Sequence, residues 1–201
     1  MQTIAKLALI DAEKCNVCTT CVRVCPTKAI SLDKSHEKPV VVIDDQKCLA
    51  CTICMTRCPE KAVEMVERKE PLLFGIDWTL ADQAEVERIC VAAHMHPEQV
   101  ICYCRRTQAR EVAAAILLGH QTPEALALAT GIRTGCGVLC ITSVMRLLKA
   151  AGVEIDKAPG WQWYGTYMTI WDLPPETAAK YPEYYLAEDL EAMRQLFPKG
   201  D

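Results

Sequence analysis

Two short apolar runs near the N-terminus, at residues 3–10 and 40–43, are rich in branched side chains. Runs of this kind predict β-strands. Two further segments, 27–30 and 60–63, are interpreted as helical turns that lead into extended residues. The first third of the chain therefore predicts a small mixed unit of strands and short helices.

Beyond this unit the apolar positions follow helical spacing, and capping residues mark several helix ends. The predicted helices span residues 82–93, 108–118, a short segment between Thr122 and Gly131, 137–151 and 183–196. Thr107 is predicted to cap the second of them and Gly119 to close it. Thr122 precedes Pro123, the order expected of an N-cap and a first helical position. The middle of the chain is therefore predicted to be helical.

The N-terminal unit is an internal repeat with an offset of 33 residues, since the sequence around Cys15 recurs around Cys48. Each copy has the pattern C-x2-C-x2-C-x3-C followed by proline. A repeat of this length is too short to bury a core alone, so the two copies must pack together. The repeated cysteines are Cys15, Cys18, Cys21 and Cys25 in the first copy and Cys48, Cys51, Cys54 and Cys58 in the second.

Composition narrows the function classes. The chain has 51% apolar and 24% charged residues, which is typical of a globular protein. Its net charge is −4 and it has no long basic stripe, which argues against nucleic-acid binding. No apolar run approaches the roughly 20 residues that span a bilayer, so we expect a protein that is not integral to a membrane.

Thirteen cysteines are the main chemical feature of the sequence. Residues 1–11 do not read as a secretory signal, so we expect a cytoplasmic protein. In a reducing compartment, tight cysteine clusters indicate metal ligands rather than disulfides.

The repeated pattern suits iron–sulfur clusters. Three cysteines at intervals of three wrap a loop around one cubane, and in two-cluster ferredoxins the fourth ligates the other cluster. We expect that fourth cysteine at the start of a short helix, with Pro26 or Pro59 following where no N–H is required. Zinc knuckles or disulfides are the alternatives, and evenly spaced triplets fit zinc poorly.

Residues 1–68 resemble the bacterial two-cluster ferredoxins, and all eight cysteines match. The resemblance implies two [4Fe–4S] clusters with crossed ligands. One cluster is expected on Cys15, Cys18, Cys21 and Cys58, and the other on Cys48, Cys51, Cys54 and Cys25.

A second cysteine set consists of Cys102, Cys104, Cys136 and Cys140. We predict that Cys136 lies at a helix N-terminus and Cys140 one turn later on the same face. Free backbone amides there suit an anionic iron–sulfur core. Arg105 follows directly and is expected to offset the cluster charge, as is Arg106 unless one of the two is simply solvated.

Residues 100–152 resemble the bacterioferritin-associated-ferredoxin (BFD)-like [2Fe–2S] domain, in which a C-x-C pair and a T-G-C-G-type second pair hold one binuclear cluster. The matching segments are Cys102-Tyr103-Cys104 and Thr134-Gly135-Cys136-Gly137. This chain departs from the family in having three residues between Cys136 and Cys140 instead of two. We expect the added residue to move Cys140 around the helix. Zinc or a different cluster is the alternative.

Cys90, His94 and His96 have two interpretations. They form a further metal site, or Cys90 is a buried free cysteine and the histidines have structural roles. We favour the second interpretation.

Aromatic residues are concentrated after Gly160. They are Trp161, Trp163, Tyr164, Tyr167, Trp171, Tyr181, Tyr184, Tyr185 and Phe197. Such a segment is too short for its own core, so it either folds back over the cluster domains or docks on a partner subunit, and both are compatible.

The expected fold class is α+β. A two-cluster ferredoxin-like module (1–68) is followed by a linker with a helix (69–99), a small all-α [2Fe–2S] domain (100–152) and an aromatic-rich C-terminal extension (153–201).

The expected function is electron transfer. No dinucleotide fingerprint, P-loop or nucleophile with a base is present. Four cysteines in each set leave no iron open to a substrate, so we expect a non-catalytic subunit of a multisubunit oxidoreductase. It would relay single electrons between a catalytic, flavin-containing subunit and an electron donor or acceptor pool, with residues 160–201 docking on the partner. The alternatives are an iron–sulfur assembly or iron-mobilisation factor, and a redox sensor that uses Cys90.

Overall fold

The computed structural model of the protein describes residues 2–155 and 164–196. Strands and short helices alternate in the first part, and helices dominate the second, which confirms the α+β class. None of the helices in these two ranges combines the length and apolar character that crossing a membrane would require.

The N-terminal unit consists of two antiparallel strand pairs and two short helices. Its elements are β1 (Gln2–Ile10), α1 (Thr20–Val24), β2 (Ile30–Asp33), β3 (Val40–Ile43), α2 (Ile53–Arg57) and β4 (Val63–Phe74). β1 pairs with β4, and β2 pairs with β3. The predicted strands at 3–10 and 40–43 are confirmed.

Backbone hydrogen bonds tie the two repeats to each other. The amide of Asp11 donates to Ala62 O at 2.8 Å, and the amide of Asp44, 33 residues later, donates to Ala29 O at 2.7 Å. Each bond joins one repeat to the other, so neither repeat completes its own structure. The internal repeat with its 33-residue offset is therefore reflected in the backbone.

The prediction of helical turns at 27–30 and 60–63 is wrong, because the helices lie before the fourth cysteine of each repeat. Cys25 ends α1 and Cys58 ends α2, both with extended backbone. Pro26 and Pro59 explain this, since a residue before proline avoids the helical conformation. The fourth cysteine therefore closes a helix instead of opening one.

Residues 69–74, expected to begin the linker, belong to the long strand β4 (Val63–Phe74). Ile4 lies opposite Leu72 and Lys6 opposite Glu67, so the register shifts between them. Pro71 lies in this irregularity, where its missing N–H removes no regular ladder bond.

The second unit is a helical core with a short hairpin. Its elements are a 3₁₀ turn (Trp78–Leu80), α3 (Gln83–Ala92), β5 (Val100–Cys102), β6 (Thr107–Gln108), α4 (Ala109–Leu117), α5 (Pro123–Thr130) and α6 (Ile141–Ala150). Ile89, Val112, Leu126 and Val144 are fully buried between the helices. The prediction of an all-α domain is not confirmed, because β5 and β6 pair in an antiparallel hairpin.

Three predicted helix starts can be checked directly. Thr122 caps α5 as expected, with its hydroxyl accepting from the Ala125 amide at 3.1 Å. Thr107 is not the cap of α4, because it is in β6, and Glu111 instead accepts from the amide of Gln108, the actual N-cap. α6 begins at Ile141 rather than at residue 137.

The C-terminal segment folds back on the helical unit. Its elements are a 3₁₀ turn (Ile170–Asp172), α7 (Pro175–Lys180), a 3₁₀ turn (Pro182–Tyr184) and α8 (Leu186–Leu196). Arg146 of α6 donates to the Thr169 hydroxyl at 2.7 Å. The ring of Trp171 stacks on His94 with centroids 4.1 Å apart.

The described aromatic side chains of this segment are dispersed over these contacts and the surface, so a distinct aromatic extension is not confirmed. Trp161, Trp163 and Phe197 lie outside the described residues.

Candidate metal centres

The first tetranuclear site, defined as Cys15, Cys18, Cys21 and Cys58, surrounds one cavity. All four residues line it, together with apolar side chains that include Ile10, Val41 and Val63. Three cysteines come from the first repeat and Cys58 comes from the second. The structure therefore brings together the crossed set, while ligation by these thiols stays a prediction.

The second tetranuclear site, defined as Cys25, Cys48, Cys51 and Cys54, is more deeply buried. Burial is the largest cause that raises the pKa of Cys54 to about 12, and the charges of the other three thiols add to it. The same causes raise the pKa of Cys51. Cys25 thus lies among the cysteines of the other repeat.

Residues with left-handed backbone occur at matching positions in the two cysteine loops and shape both loops alike. Positive φ occurs in both repeats at an offset of 33 residues, at Val17, Thr19 and Lys28 and again at Ala50, Thr52 and Lys61, with φ between 50° and 65°. Non-glycine residues rarely adopt this conformation, so six instances in matched pairs indicate a backbone shaped by its site.

Backbone amides donate to several of the sulfurs. The Ala29 amide lies 3.2 Å from Cys25 Sγ, and the Ala62 amide lies 3.3 Å from Cys58 Sγ. The amide of Ala8 donates to Cys48 Sγ at 3.5 Å. Donors of this kind stabilise anionic thiolates, and such hydrogen bonds to sulfur tune cluster potentials.

The binuclear site, defined as Cys102, Cys104, Cys136 and Cys140, has a buried and an exposed half. Cys102 and Cys140 are buried, whereas Cys104 and Cys136 are exposed. The Cys140 thiol donates a hydrogen bond to the Cys102 sulfur, which lowers the pKa of Cys102 to about 6, and backbone amides including that of Arg133 add to this. The same shared proton raises the pKa of Cys140.

The predicted helical placement of Cys136 is wrong. Cys136 lies in a turn before α6, and Cys140 is the N-cap residue of that helix. Gly137 has φ of +74°, a left-handed conformation that keeps helical geometry from starting there. Cys140 therefore lies at the start of α6 instead of one turn inside a helix that begins before it.

The expected anion-binding amides are nevertheless present. The backbone amides of Leu139 and Val138 donate to the Cys136 sulfur and lower the pKa of that thiol. They belong to the turn rather than to a helix N-terminus, so the prediction names the right chemistry with the wrong element.

Gly135 permits the close approach of Cys104. A Cβ added at residue 135 would lie 2.2 Å from Cys104 Cβ and 2.8 Å from its Sγ. Any side chain at this position would displace Cys104, which gives the glycine of the T-G-C-G segment a direct steric reason.

Arg133 is a residue that sequence reasoning missed. It is only 2% exposed, its guanidinium pairs with Glu124 at 3.5 Å, and it lies 5.5 Å from the centroid of the Tyr164 ring. Tyr164 also donates to the Glu124 carboxylate. The C-terminal segment thereby packs beside the residue whose amide faces Cys102 and Cys140. The only signal for Arg133 in the sequence is that it directly precedes the T-G-C-G segment that begins at Thr134.

Cys90, His94 and His96 do not form a metal site together. Cys90 is fully buried in α3, and burial raises the pKa of its thiol to about 12. His94 stacks on Trp171, and His96 Nδ1 accepts from the Glu98 amide at 3.2 Å. The structural interpretation is favoured, and a buried protonated thiol does not suit the alternative in which Cys90 acts as a redox sensor.

All thirteen cysteines are free thiols, which excludes the disulfide alternative in this structure. Within residues 2–155 and 164–196, no three His, Cys, Asp or Glu side chains converge closely enough to hold a single metal ion. The fit of iron–sulfur clusters rests instead on three sets of four thiols, the crossed grouping and the amides that face the sulfurs.

Comparison with known families agrees with the two units. The family model described as a 4Fe-4S dicluster domain matches residues 14–62, and the one described as a BFD-like [2Fe-2S] binding domain matches residues 100–150. No curated protein and no solved structure matches the chain. Iron–sulfur binding domains indicate a redox or electron-transfer role. Two separate regions of one chain are therefore similar to a 4Fe-4S dicluster domain and to a BFD-like [2Fe-2S] binding domain.

Proposed function

We propose that this protein is the iron–sulfur electron-transfer subunit of a multisubunit oxidoreductase. It holds two [4Fe–4S] clusters and one [2Fe–2S] cluster on its twelve grouped cysteines. The observation that carries the proposal is the three sets of four cysteines in two adjoining domains. When bound, clusters of these types supply reversible one-electron oxidation and reduction.

The residues around the sets favour storage of electrons over catalysis. Each set has four thiols, the full number that such a cluster takes from a protein, so no coordination position is reserved for a substrate. Cys21, Cys25, Cys48 and Cys54 belong to one buried apolar cluster with Ala8, Ile30 and Val63. These buried side chains leave little room for a substrate at the second tetranuclear site. Together with the full sets of four thiols, this supports a non-catalytic role for the chain.

Exposed cysteines mark where electrons enter and leave. Cys18 is exposed at the first tetranuclear site, and Cys104 and Cys136 are exposed at the binuclear site. Tyr103, which precedes Cys104, is 82% exposed, and Leu139, whose amide faces the Cys136 sulfur, is 74% exposed. Exposed apolar side chains beside an exposed ligand suit a protein partner that brings its own redox group close.

We take that partner to be a flavin-containing catalytic subunit, and a second protein or pool to exchange electrons at the other end. The C-terminal segment supports an additional contact, because Tyr184 and Tyr185 are 64% and 66% exposed and exposed tyrosines are common binding anchors. Docking through residues 160–201 and folding back are compatible, since different side chains serve each.

The functional units in this proposal are residues 1–68, 69–99, 100–152 and 153–201. A cytoplasmic location belongs to the proposal as well, because a reducing compartment keeps the twelve thiols available for iron.

Anaerobic purification with iron and sulfide analysis tests the cofactor content, and about ten irons per chain are expected. Electron transfer is then tested by mixing the oxidised protein with its co-purifying flavoprotein and that enzyme's substrate, and following cluster reduction by low-temperature EPR. Reduction of the clusters during turnover of the flavoprotein supports the proposed electron-transfer role. A protein that instead donates its clusters to an apo-ferredoxin would be an assembly factor, and an iron-free active protein would overturn both.

A further inference from the structure

The two iron–sulfur domains touch beside their cysteines. A Cβ added at Gly137, in the turn after Cys136, would lie 3.9 Å from Ile53 Cδ1. Ile53 is the first residue of α2 and lies between Cys51 and Cys54 in the chain. The segment that carries Cys51 and Cys54 of the second tetranuclear site therefore lies beside the turn of the binuclear site.

A second contact between the domains is made by Arg105, which directly follows Cys104. Its Nη2 donates to Gln2 Oε1 at 2.8 Å, and its guanidinium carbon lies 5.9 Å from the centroid of the Phe74 ring. Gln2 and Phe74 are opposite each other in the β1–β4 pair. The Arg105 side chain therefore contacts both strands at the Gln2–Phe74 end of the β1–β4 pair.

The backbone of the same residue belongs to the binuclear site. The Arg105 amide donates to Cys102 O at 3.2 Å and also faces the Cys102 sulfur. Gly131 leaves room for the Arg105 side chain beside Phe74. A Cβ at residue 131 would lie 3.2 Å from both Arg105 Nε and the Phe74 ring and would crowd them. One residue thus links the cysteine loop of one domain to the sheet of the other.

We propose that Arg105 is a positioning residue that clamps the binuclear loop onto the β1–β4 sheet and fixes the separation between the binuclear and second tetranuclear sites. The inference rests on the proposed function, since it concerns electron exchange between these two sites. The rate of electron tunnelling falls steeply with separation, so a loosened clamp slows exchange without changing either set of ligands. This role differs from the simple charge compensation expected from the sequence.

Arg106 provides a matched control. It is the next residue, carries the same charge and is exposed. Arg105→Ala and Arg106→Ala therefore remove the same charge from the same loop, and only the first removes the contacts to Gln2 and Phe74.

The test uses the full, cluster-loaded chain and three readouts. Iron content is expected to stay unchanged in both variants, and the midpoint potential of the binuclear site is expected to fall by a similar small amount in both, because each variant loses one positive charge beside it. Pulsed EPR on the reduced protein is expected to show a broadened distance distribution between the two sites in Arg105→Ala only. Intramolecular electron exchange after partial flash reduction is expected to slow several-fold in Arg105→Ala only.

Gln2→Ala tests the clamp when Arg105→Ala does not load with iron. It keeps the arginine and removes its acceptor, and it is expected to broaden the same distribution to a smaller extent. An unchanged distribution and rate in Arg105→Ala, or an equal effect of Arg106→Ala, would overturn the clamp while leaving the proposed function intact. Absence of electron exchange between the sites in the unmodified protein would instead refute the proposed function.

Discussion

The two tetranuclear sites have the same backbone and different surroundings. The backbone amides of Cys15 and Cys48 each donate a hydrogen bond to the backbone carbonyl of an aspartate four residues earlier, at 3.0 and 3.1 Å. The same aspartates, Asp11 and Asp44, pair with lysines three residues later, at 2.6 and 2.8 Å. The loop that presents the thiols has therefore been kept in both copies.

The side chains that face the two sites have diverged. At the first site, the Asn16 amide donates to Glu60 at 2.9 Å, and the Glu60 charge acts on the Cys18 thiol. The corresponding positions of the second site hold Leu49, which is buried, and Thr27, whose buried hydroxyl donates to Lys47 O at 2.7 Å. The first site therefore has a charged side chain and an exposed thiol at positions where the second has buried, uncharged side chains.

This difference shows that cysteine spacing and tuning are separate properties. Spacing and loop conformation select the type of cluster, whereas burial, charge and hydrogen bonds set its potential. Two copies of one loop can therefore hold identical clusters at different potentials. The comparison can be tested by changing one copy at a time.

The largest effect is expected from the fourth cysteines, because these distinguish crossed from uncrossed ligation. If the ligands cross, Cys58→Ser impairs the same cluster as Cys15→Ser, and Cys25→Ser impairs the same cluster as Cys48→Ser. Each variant is expected to lose one cluster, about four irons, or to convert it to a smaller form. EPR spectra and iron content of the four variants decide the grouping.

The opposite pairing of spectra, Cys58→Ser with Cys48→Ser, would contradict crossing. We also expect Cys25→Ser to be the more damaging of the two fourth-cysteine variants, because Cys25 is buried and Cys58 is partly exposed.

A smaller effect on the second site is expected from Thr27→Val. The substitution keeps the volume but leaves Lys47 O without its hydroxyl donor, and it removes the hydroxyl that lies 3.6 Å from Cys25 Sγ. Loss of a hydrogen bond of this kind costs about 0.5–1.5 kcal/mol, so the free energy of unfolding should fall by that amount. Chemical denaturation of the iron-loaded protein measures it.

Thr56→Val is the control, because the Thr56 hydroxyl bonds to helix carbonyls on an exposed surface. A loss of stability as large for Thr56→Val as for Thr27→Val would show that burial of the second site is not the cause.

The sequence predicted which cysteines lie near each other better than it predicted the elements that carry them. The 33-residue offset was sufficient for the repeat, because cysteine and proline positions are strict. Helices were predicted after the fourth cysteines, but Pro26 and Pro59 keep Cys25 and Cys58 out of the helical conformation, so the helices end at these residues. The turn at Gly137 was missed for another reason: a glycine within an apolar helical pattern does not reveal its φ.

Contacts between distant segments were not accessible to local patterns. Arg105 with Gln2, Arg133 with Tyr164 and His94 with Trp171 each join residues far apart in the chain. Such pairs depend on how the domains and the C-terminal segment pack, and no local periodicity encodes that arrangement.

A Cys90 variant tests whether the thirteenth cysteine, which belongs to none of the three sets, also supports a cluster. Cys90→Ala removes a fully buried sulfur from α3, so we expect a loss of about 1 kcal/mol in the free energy of unfolding. Iron content and both tetranuclear EPR signals are expected to stay unchanged. Loss of iron from this variant would show that a thirteenth thiol supports a cluster, contrary to its placement.

The thiol of Cys90 also predicts a pH dependence. Burial raises its pKa from 9.0 to about 12, so the folded protein keeps this proton where the unfolded chain releases it. The associated stability is complete below about pH 9 and is lost as the pH rises towards 12. Iodoacetamide labelling at pH 8 should therefore be at least about tenfold slower at Cys90 in the folded than in the unfolded protein.

The smallest effect is expected from Glu60→Gln, which removes the acidic charge from the first site and leaves the second unchanged. A negative charge opposes the addition of an electron, so its removal should raise the midpoint potential of the first site. A charge interaction at an exposed position amounts to about 0.2–1 kcal/mol, which corresponds to about 10–40 mV for one electron. EPR-monitored redox titration resolves the two sites. Glu64→Gln removes the same charge from a neighbouring strand position that does not line the cavity, and an equal shift in that variant would show that net charge, and not the Glu60 position, separates the two copies.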